Sequence, residues 1–436
     1  VIVGLLLSLF IPVLMPLAGT PARALTCEAT LDASAPDAVA ELQALLDRAS
    51  TSEDPAADCA TWTLRLDGEF LLTSQLVYRG APALHLAGSR RSAPAVLAAR
   101  GAEGHRVLAV LSPASSVQLT DLVLRDGRAR GAGLDGAGGA VVVETQLGVV
   151  SEVRATRVAL RGNDASRGGA IAADRVVLVD VEVDGNSADA GAGLDVFELS
   201  ATRTTFVAND ALGAPGTGGA VRASGDVTVV NSTFSANRAQ VGGSVWMAGA
   251  ASPTLRATFT TFASAAADHG GAHLHTDAGH AGTVTLILRG SVLAGAERLD
   301  PEGVTQPIAC FGFVATSGPG GSVDSLSSDT SCGDGVTLLG GPPGLSPLPS
   351  AAAGGAGPVG TGVDARVHLP ASDSPLLDRV DCDASWPADD QRGIARPFPA
   401  SGRCDAGAVE VVLLARDPGD DRSRSSAHDE DPGPTA

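Results

Sequence analysis

A short phrase recurs through the middle of this 436-residue chain, and it restricts the fold more than any other feature. It reads Gly-Gly-Ala-aliphatic, then a Val/Thr-rich run ending in Phe-x-x-Asn. The glycine pairs are Gly138-Gly139, Gly168-Gly169, Gly218-Gly219, Gly242-Gly243 and Gly270-Gly271. The asparagines Asn163, Asn186, Asn209 and Asn237 follow one another in steps of 23, 23 and 28. Such self-similarity means one supersecondary unit stacked many times rather than a single globular core. A period of this length with about three short strands per unit predicts an all-β, single-stranded, right-handed parallel β-helix, each strand lying ~4.8 Å from its copy one coil away. The glycine pair supplies a corner with φ > 0. The asparagines tolerate the left-handed region, which predicts a hydrogen-bonded ladder of Asn163, Asn186, Asn209 and Asn237. Leu124, Leu160, Val183, Phe206, Phe234 and Phe262 form one column, expected to stack inside. Leucine-rich repeats share the period, but their fixed leucines are missing here. The Gly and Val content excludes tandem helical repeats.

The flanking segments follow from composition. Residues 1–18 are apolar and lead to Ala22-Arg23-Ala24, which predicts a signal peptide over 1–24 and no transmembrane segment in the mature chain. An N-terminal cap is expected over 25–60. Its amphipathic helix at 37–50 places Val39, Leu42, Leu45 and Leu46 on one face, and so covers the open end of the stack. The β-helix is expected over 61–300, C-terminal coils with a disulfide-bearing region over 301–414, and a disordered tail over 415–436. A last apolar strand is expected at 408–414. Cys27, Cys59, Cys310, Cys332, Cys382 and Cys404 make an even count in an exported chain, which implies three disulfides. Their clustering favours Cys27–Cys59, Cys310–Cys332 and Cys382–Cys404, with every other pairing of six cysteines still open. The net charge of −19 and a pI near 4.7 argue against nucleic acid, which needs a basic footprint. No nucleophile elbow, phosphate loop or dinucleotide fingerprint appears, so no cofactor is expected.

Two resemblances rest on particular residues. Gly168-Gly169-Ala170-Ile171, Gly218-Gly219-Ala220-Val221, Phe206 to Asn209 and Phe234 to Asn237 resemble the repeats of polymorphic outer-membrane proteins. Ser327–Gly333, Ser374–Asp378, Asp390–Pro397 and Cys404–Glu410 resemble the closing signature of bacterial choice-of-anchor Q domain proteins. Together they span about 120–410 and imply a right-handed parallel β-helix on the outside of a bacterium, with no established catalysis. Ala406 and Val409 depart from the larger residues of that family, and its C-terminal anchor is not evident.

Four constellations are candidates for chemistry. Asp180, Glu182 and Asp184 alternate with valines, so the valines are expected inside and the acids outside. Their spacing of about 6.6–6.8 Å suits an inverting glycosidase pair. The repeat period, however, sets Asp180 beside Arg157 and Arg203, and Asp184 beside Arg161. That predicts exposed ion pairs with lowered carboxylate pKa values. His273 and His275, near His269, His280, Asp268 and Asp277, form a candidate metal pair. Their expected columns hold Ile171, Val221 and Val245, which predicts packed histidines instead. Gly131-x-Gly-x-Asp135 and Gly191-x-Gly-x-Asp195 carry a calcium-repeat phrase but are not in tandem, and read as corners. Trp246 falls in an outward column and is the candidate binding aromatic. The expectation is an exported, monomeric, non-enzymatic cell-surface or secreted scaffold for adhesion, binding an extracellular glycan or a surface protein. The rival is a polysaccharide lyase or glycoside hydrolase working in a lateral groove.

Overall fold

Each coil is a set of short strands separated by corners that L-residues resist, so the sequence between corners is free to alternate inward and outward. The computed structural model describes residues 26–411 apart from 51–57, 90–93, 102–103, 114–115, 145–147, 249–251, 278–282, 300–304, 317–320, 350–365 and 398–401. The expected signal peptide and disordered tail lie outside the described residues. The fold is a parallel β-helix. One coil shows the plan. Ile171–Val179 supplies a first side (171–173) and, after a bend, a second (175–179). Glu182–Asp184 is the third side and Ser187–Ala190 the fourth. The corners between and after them are Asp180, Gly185 and Gly191, with φ of 57°, 61° and 60°. Every strand of this coil pairs in parallel with its copy in the next, as in Ile171 with Leu194, Glu182 with Thr205 and Ser187 with Asp210. Parallel crossovers of this kind wind right-handed.

The glycine pair has two distinct jobs. Gly168 takes the positive φ of the corner, at 61°. Gly169 is needed for room, because a Cβ there would overlap the carbonyl oxygens of Ala192 and Ser187 on the next coil. Inside, Phe206, Phe234 and Phe262 stack with centroids 4.5 and 4.8 Å apart and planes within 16° of parallel. Each such pair contributes about 0.5–1.5 kcal/mol beyond its area burial. The asparagines form a continuous ladder. The side-chain oxygen of Asn186 accepts from the backbone N–H and the amide of Asn163, at 2.9 and 3.0 Å. Its own amide donates to Leu160 O at 3.1 Å and to the side chain of Asn209 at 2.9 Å. Asn209 and Asn237 repeat the pattern.

Coil membership is wider than the sequence pattern suggests. Thr26–Asp32 pairs in parallel with Thr61–Asp67, so coils begin ahead of the helix. The helix, Ala38–Arg48, buries Leu42 and Leu46, and Leu45 accepts from the Trp62 indole at 3.0 Å. At the other end Cys310–Phe311 and Ser325–Ser327 continue the first and third sides, and Val336–Leu338 stacks on Ser325–Ser327. These strands carry no Gly-Gly or Phe-x-x-Asn phrase; backbone pairing alone assigns them. The disulfides Cys27–Cys59, Cys310–Cys332 and Cys382–Cys404 are formed, with Cα separations of 5.8, 4.9 and 5.9 Å. No helix of the described residues is long and apolar enough to cross a membrane.

The chain from 366 to 411 leaves the stack and runs as a strap over the outside of the third side. Thr205 donates to Arg366 O at 3.0 Å, Asn231 to Asp389 O at 2.8 Å, and Thr233 to the Gln391 side chain at 2.6 Å. Further along, the N–H of Ala408 reaches Thr261 at 2.9 Å and that of Gly407 reaches Gly290 O at 2.8 Å. The outward residues Thr205, Thr233 and Thr261 are therefore buried. The strand expected at 408–414 does not form over 408–411. There the N–H groups of Glu410 and Val411 go to the carboxylates of Asp390 and Asp405, at 3.0 and 2.7 Å. Inside the strap, Arg396 and Glu410 make a fully buried ion pair at 2.9 Å.

Removing one rung tests the ladder. Asn186→Ala leaves the Asn163 N–H buried without a partner and removes the extra donor from the Leu160 carbonyl, an expected loss of about 1–3 kcal/mol in urea denaturation. A loss below about 1 kcal/mol would show that the ladder is dispensable.

Candidate functional site

The acid row is divided by a corner and closed by the strap. Asp180 sits at the corner itself, so the run 179–184 is not one alternating strand. The phase changes there, and Val179 is half-buried while Val181 and Val183 are buried. Arg203 holds Asp180 through two hydrogen bonds of 2.6 and 3.0 Å. Arg157 pairs instead with Asp121, at 2.6 and 2.9 Å. Arg161 lies beside Asp184 in the register, as expected, while its direct ion pair at 2.9 Å is with Glu182. The decisive partner comes from far along the chain: Arg366 in the strap bonds both Glu182 and Asp184 at 2.9 Å. These pairs are buried or half-buried rather than exposed. Burial pushes the Asp184 carboxyl above its ordinary range, outweighing Arg366, against the lowering expected from a flanking arginine.

The histidines are not brought together. Val245 pairs with Leu274 and Trp246 with His275, so Leu274, not either histidine, occupies the inward column of Val221 and Val245. His273 lies inside, fully buried beside Phe262, its Nε2 donating to Ala294 O at 3.0 Å. Burial lowers its pKa to about 4. His275 lies on the outer side, stacked on Phe311 at 5.0 Å and 3.2 Å from Asp277. Among the described residues no group of three His, Cys, Asp or Glu side chains could hold a metal ion.

The open side is the first. Its outward column runs Val142, Ala172, Asp195, Arg222, Trp246, His275 and Phe311. Small side chains, Ala172, Ala173 and Ala223, form a floor, while Arg167, Phe197 and Arg222 stand around it. The result is a cleft of about 500 Å³, also lined by Glu144, Asp174 and Trp246. Asp195, largely buried, is gripped by Arg167 at 3.2 Å and Arg222 at 3.1 Å. That removes it from any calcium-loop role, and Gly191 is the corner of its coil. Arg222 also covers the Trp246 ring at 5.4 Å, which leaves the indole only 6% exposed. Phe197, by contrast, is 50% exposed. The outward placement of Trp246 thus agrees with its column, but the accessible aromatic is Phe197. Asp174 is engaged in a mutual pair with Ser151, its carboxylate accepting at 2.9 Å and its N–H donating at 2.8 Å. A second cleft, near His105, is lined by Arg106, Arg128 and Arg130. Its arginines are already engaged with the Leu134 and Asp135 carbonyls and with Asp164 and Asp189. No family model, no curated protein and no solved structure matches this chain.

Two outcomes check these assignments. With its folded pKa raised, Asp184 favours folding fully below the ordinary carboxylate pKa, and that contribution is lost as pH rises through the raised value. Arg366→Ala raises that pKa further and leaves Glu182 with Arg161 alone. Its destabilisation is expected to reach roughly 3 kcal/mol near pH 7 and to shrink near pH 4; an equal loss at both pH values contradicts the assignment. His273 has the opposite sign. Its neutral form stabilises fully above the ordinary histidine value of 6.5, and that contribution is lost as pH falls towards about 4. His273→Gln, which keeps a donor for Ala294, is expected to flatten the acid limb of the stability curve in that interval.

Proposed function

We propose that the chain is an exported, monomeric, non-enzymatic binding scaffold, and that the cleft on the first side is its glycan-binding surface. The observation that carries this reading is the cleft itself: a half-exposed aromatic, Phe197, next to arginines with spare donors over a floor of alanines. Sugar recognition combines an apolar face for the ring with a few placed polar groups. Three disulfides suit an oxidising compartment, and the resemblance of Asp390–Pro397 and Cys404–Glu410 to the choice-of-anchor Q signature supports a place outside a bacterial cell. The strap weighs against a hydrolase built on Asp180, Glu182 and Asp184, because Arg366 lies where a substrate would have to reach Glu182 and Asp184.

The full chain on a glycan array is expected to bind a restricted set of glycans, and Phe197→Ala to weaken them about tenfold by removing the apolar platform. Binding that ignores this substitution, or no binding at all, overturns the reading.

A further inference from the structure

The polar end of the cleft is assembled from three successive coils. Arg167 ends the strand Asp164–Arg167, Asp195 lies in the strand Leu194–Thr202 of the next coil, and Arg222 lies in Val221–Ala223 one coil later. Each arginine places one nitrogen on a different oxygen of Asp195, so the carboxylate holds both guanidinium groups over the cavity. A guanidinium has five N–H donors. Neither guanidinium has another hydrogen-bond partner among the described residues, and the side chains remain 47% and 38% exposed against 10% for Asp195. The two cations outnumber the carboxylate held between them, while Glu144 and Asp174, which also line the cleft, bring its charged lining to three acids against two arginines. Their geometry is set before any ligand arrives, which reduces the ordering cost of binding.

Resting on the glycan reading above, we infer that the cleft recognises a carboxylated sugar, its carboxylate bound between Arg167 and Arg222 and its ring face laid on Phe197. Charge-assisted, bidentate hydrogen bonds are the strong contacts available to such donors. The surrounding charge narrows the ligand further. With −19 on the whole chain, a dense polyanion is repelled at long range. The preferred glycan carries isolated carboxylates, as at a chain end or at widely spaced uronates.

The test is calorimetric titration of the full chain with sialyllactose, a galacturonic acid trimer, the methyl ester of that trimer, and a heparin oligosaccharide. The ester keeps the shape and removes the charge. At least one acidic sugar is expected to bind, and the trimer, where it binds, about tenfold more tightly than its ester, a preference that fades as salt rises. Arg222→Gln and, separately, Arg167→Gln are expected to erase that preference, and Phe197→Ala to weaken acid and ester alike. If the ester binds as well as the acid, or heparin binds best, the inference falls while the glycan reading stands. The same holds if only neutral glycans bind, through Phe197. If nothing binds here or on the array, both fall.

Discussion

Backbone hydrogen bonding between successive coils is the constraint on which the rest of this molecule depends. In a parallel stack nearly every N–H and C=O of one coil must find its partner in the coils above and below, because a buried unpaired group costs about 1–3 kcal/mol. That is possible only if each coil repeats the path of the last at every corner. The corners are therefore held in the left-handed region even where no glycine stands, as at Asp180, Arg203 and Ala208. Strain at these non-glycine corners is offset by local bonds. Asp121 with Arg157, and Asp180 with Arg203, tie one left-handed residue to the next along the same edge. The asparagine ladder does the same at the corner after the third side, where its amides bond both the side chains of neighbouring coils and backbone groups.

A stack of this kind leaves long flat sides, and the chain treats them differently. The third side is covered by its own C-terminal strap, whose charged residues are mostly turned on one another. Arg392 holds Asp390, Arg396 holds Glu410, and Asp405 takes the N–H groups of Asp378 and Val411. Phe259, at a left-handed corner, packs against Trp386 at 5.1 Å under the Arg396 guanidinium at 4.0 Å, which fixes the strap to the coil of Thr254–Thr258. Among the described residues the first side has no such cover over Asp195 and Phe197. Its small residues and its spare arginine donors give it the one combination of shape and polarity on which a binding role has been argued.

The coil architecture was legible because its signals are local and periodic: the glycine pairs, the Phe-x-x-Asn phrase and the step of 23 between asparagines all lie within one turn of the stack. The irregular coil at Thr26–Asp32 was not, since it shares the backbone pairing but not the side chains. The site was less legible. The corner reading of the glycine phrase before Asp195 agrees with the positive φ of Gly191, but a four-residue insertion before Gly218 shifts the register that would otherwise bring Arg222 into line with Asp195. Likewise, a one-residue error in column placed His273 and His275 with Val221 and Val245, because a strand's side chains change face at every step.

By itself, then, the sequence determined the class of fold, the inward aromatic column, the ladder and the cysteine clusters, since each depends on spacing within a repeat. Only the tertiary structure decided what the outward residues do. Arg366 reaches Glu182 and Asp184 across 184 and 182 positions of chain, and Asp195 is shared by arginines 28 and 27 positions away on either side. Contacts of that kind are set by which coil lies beside which and by where the strap docks, and no local pattern encodes either.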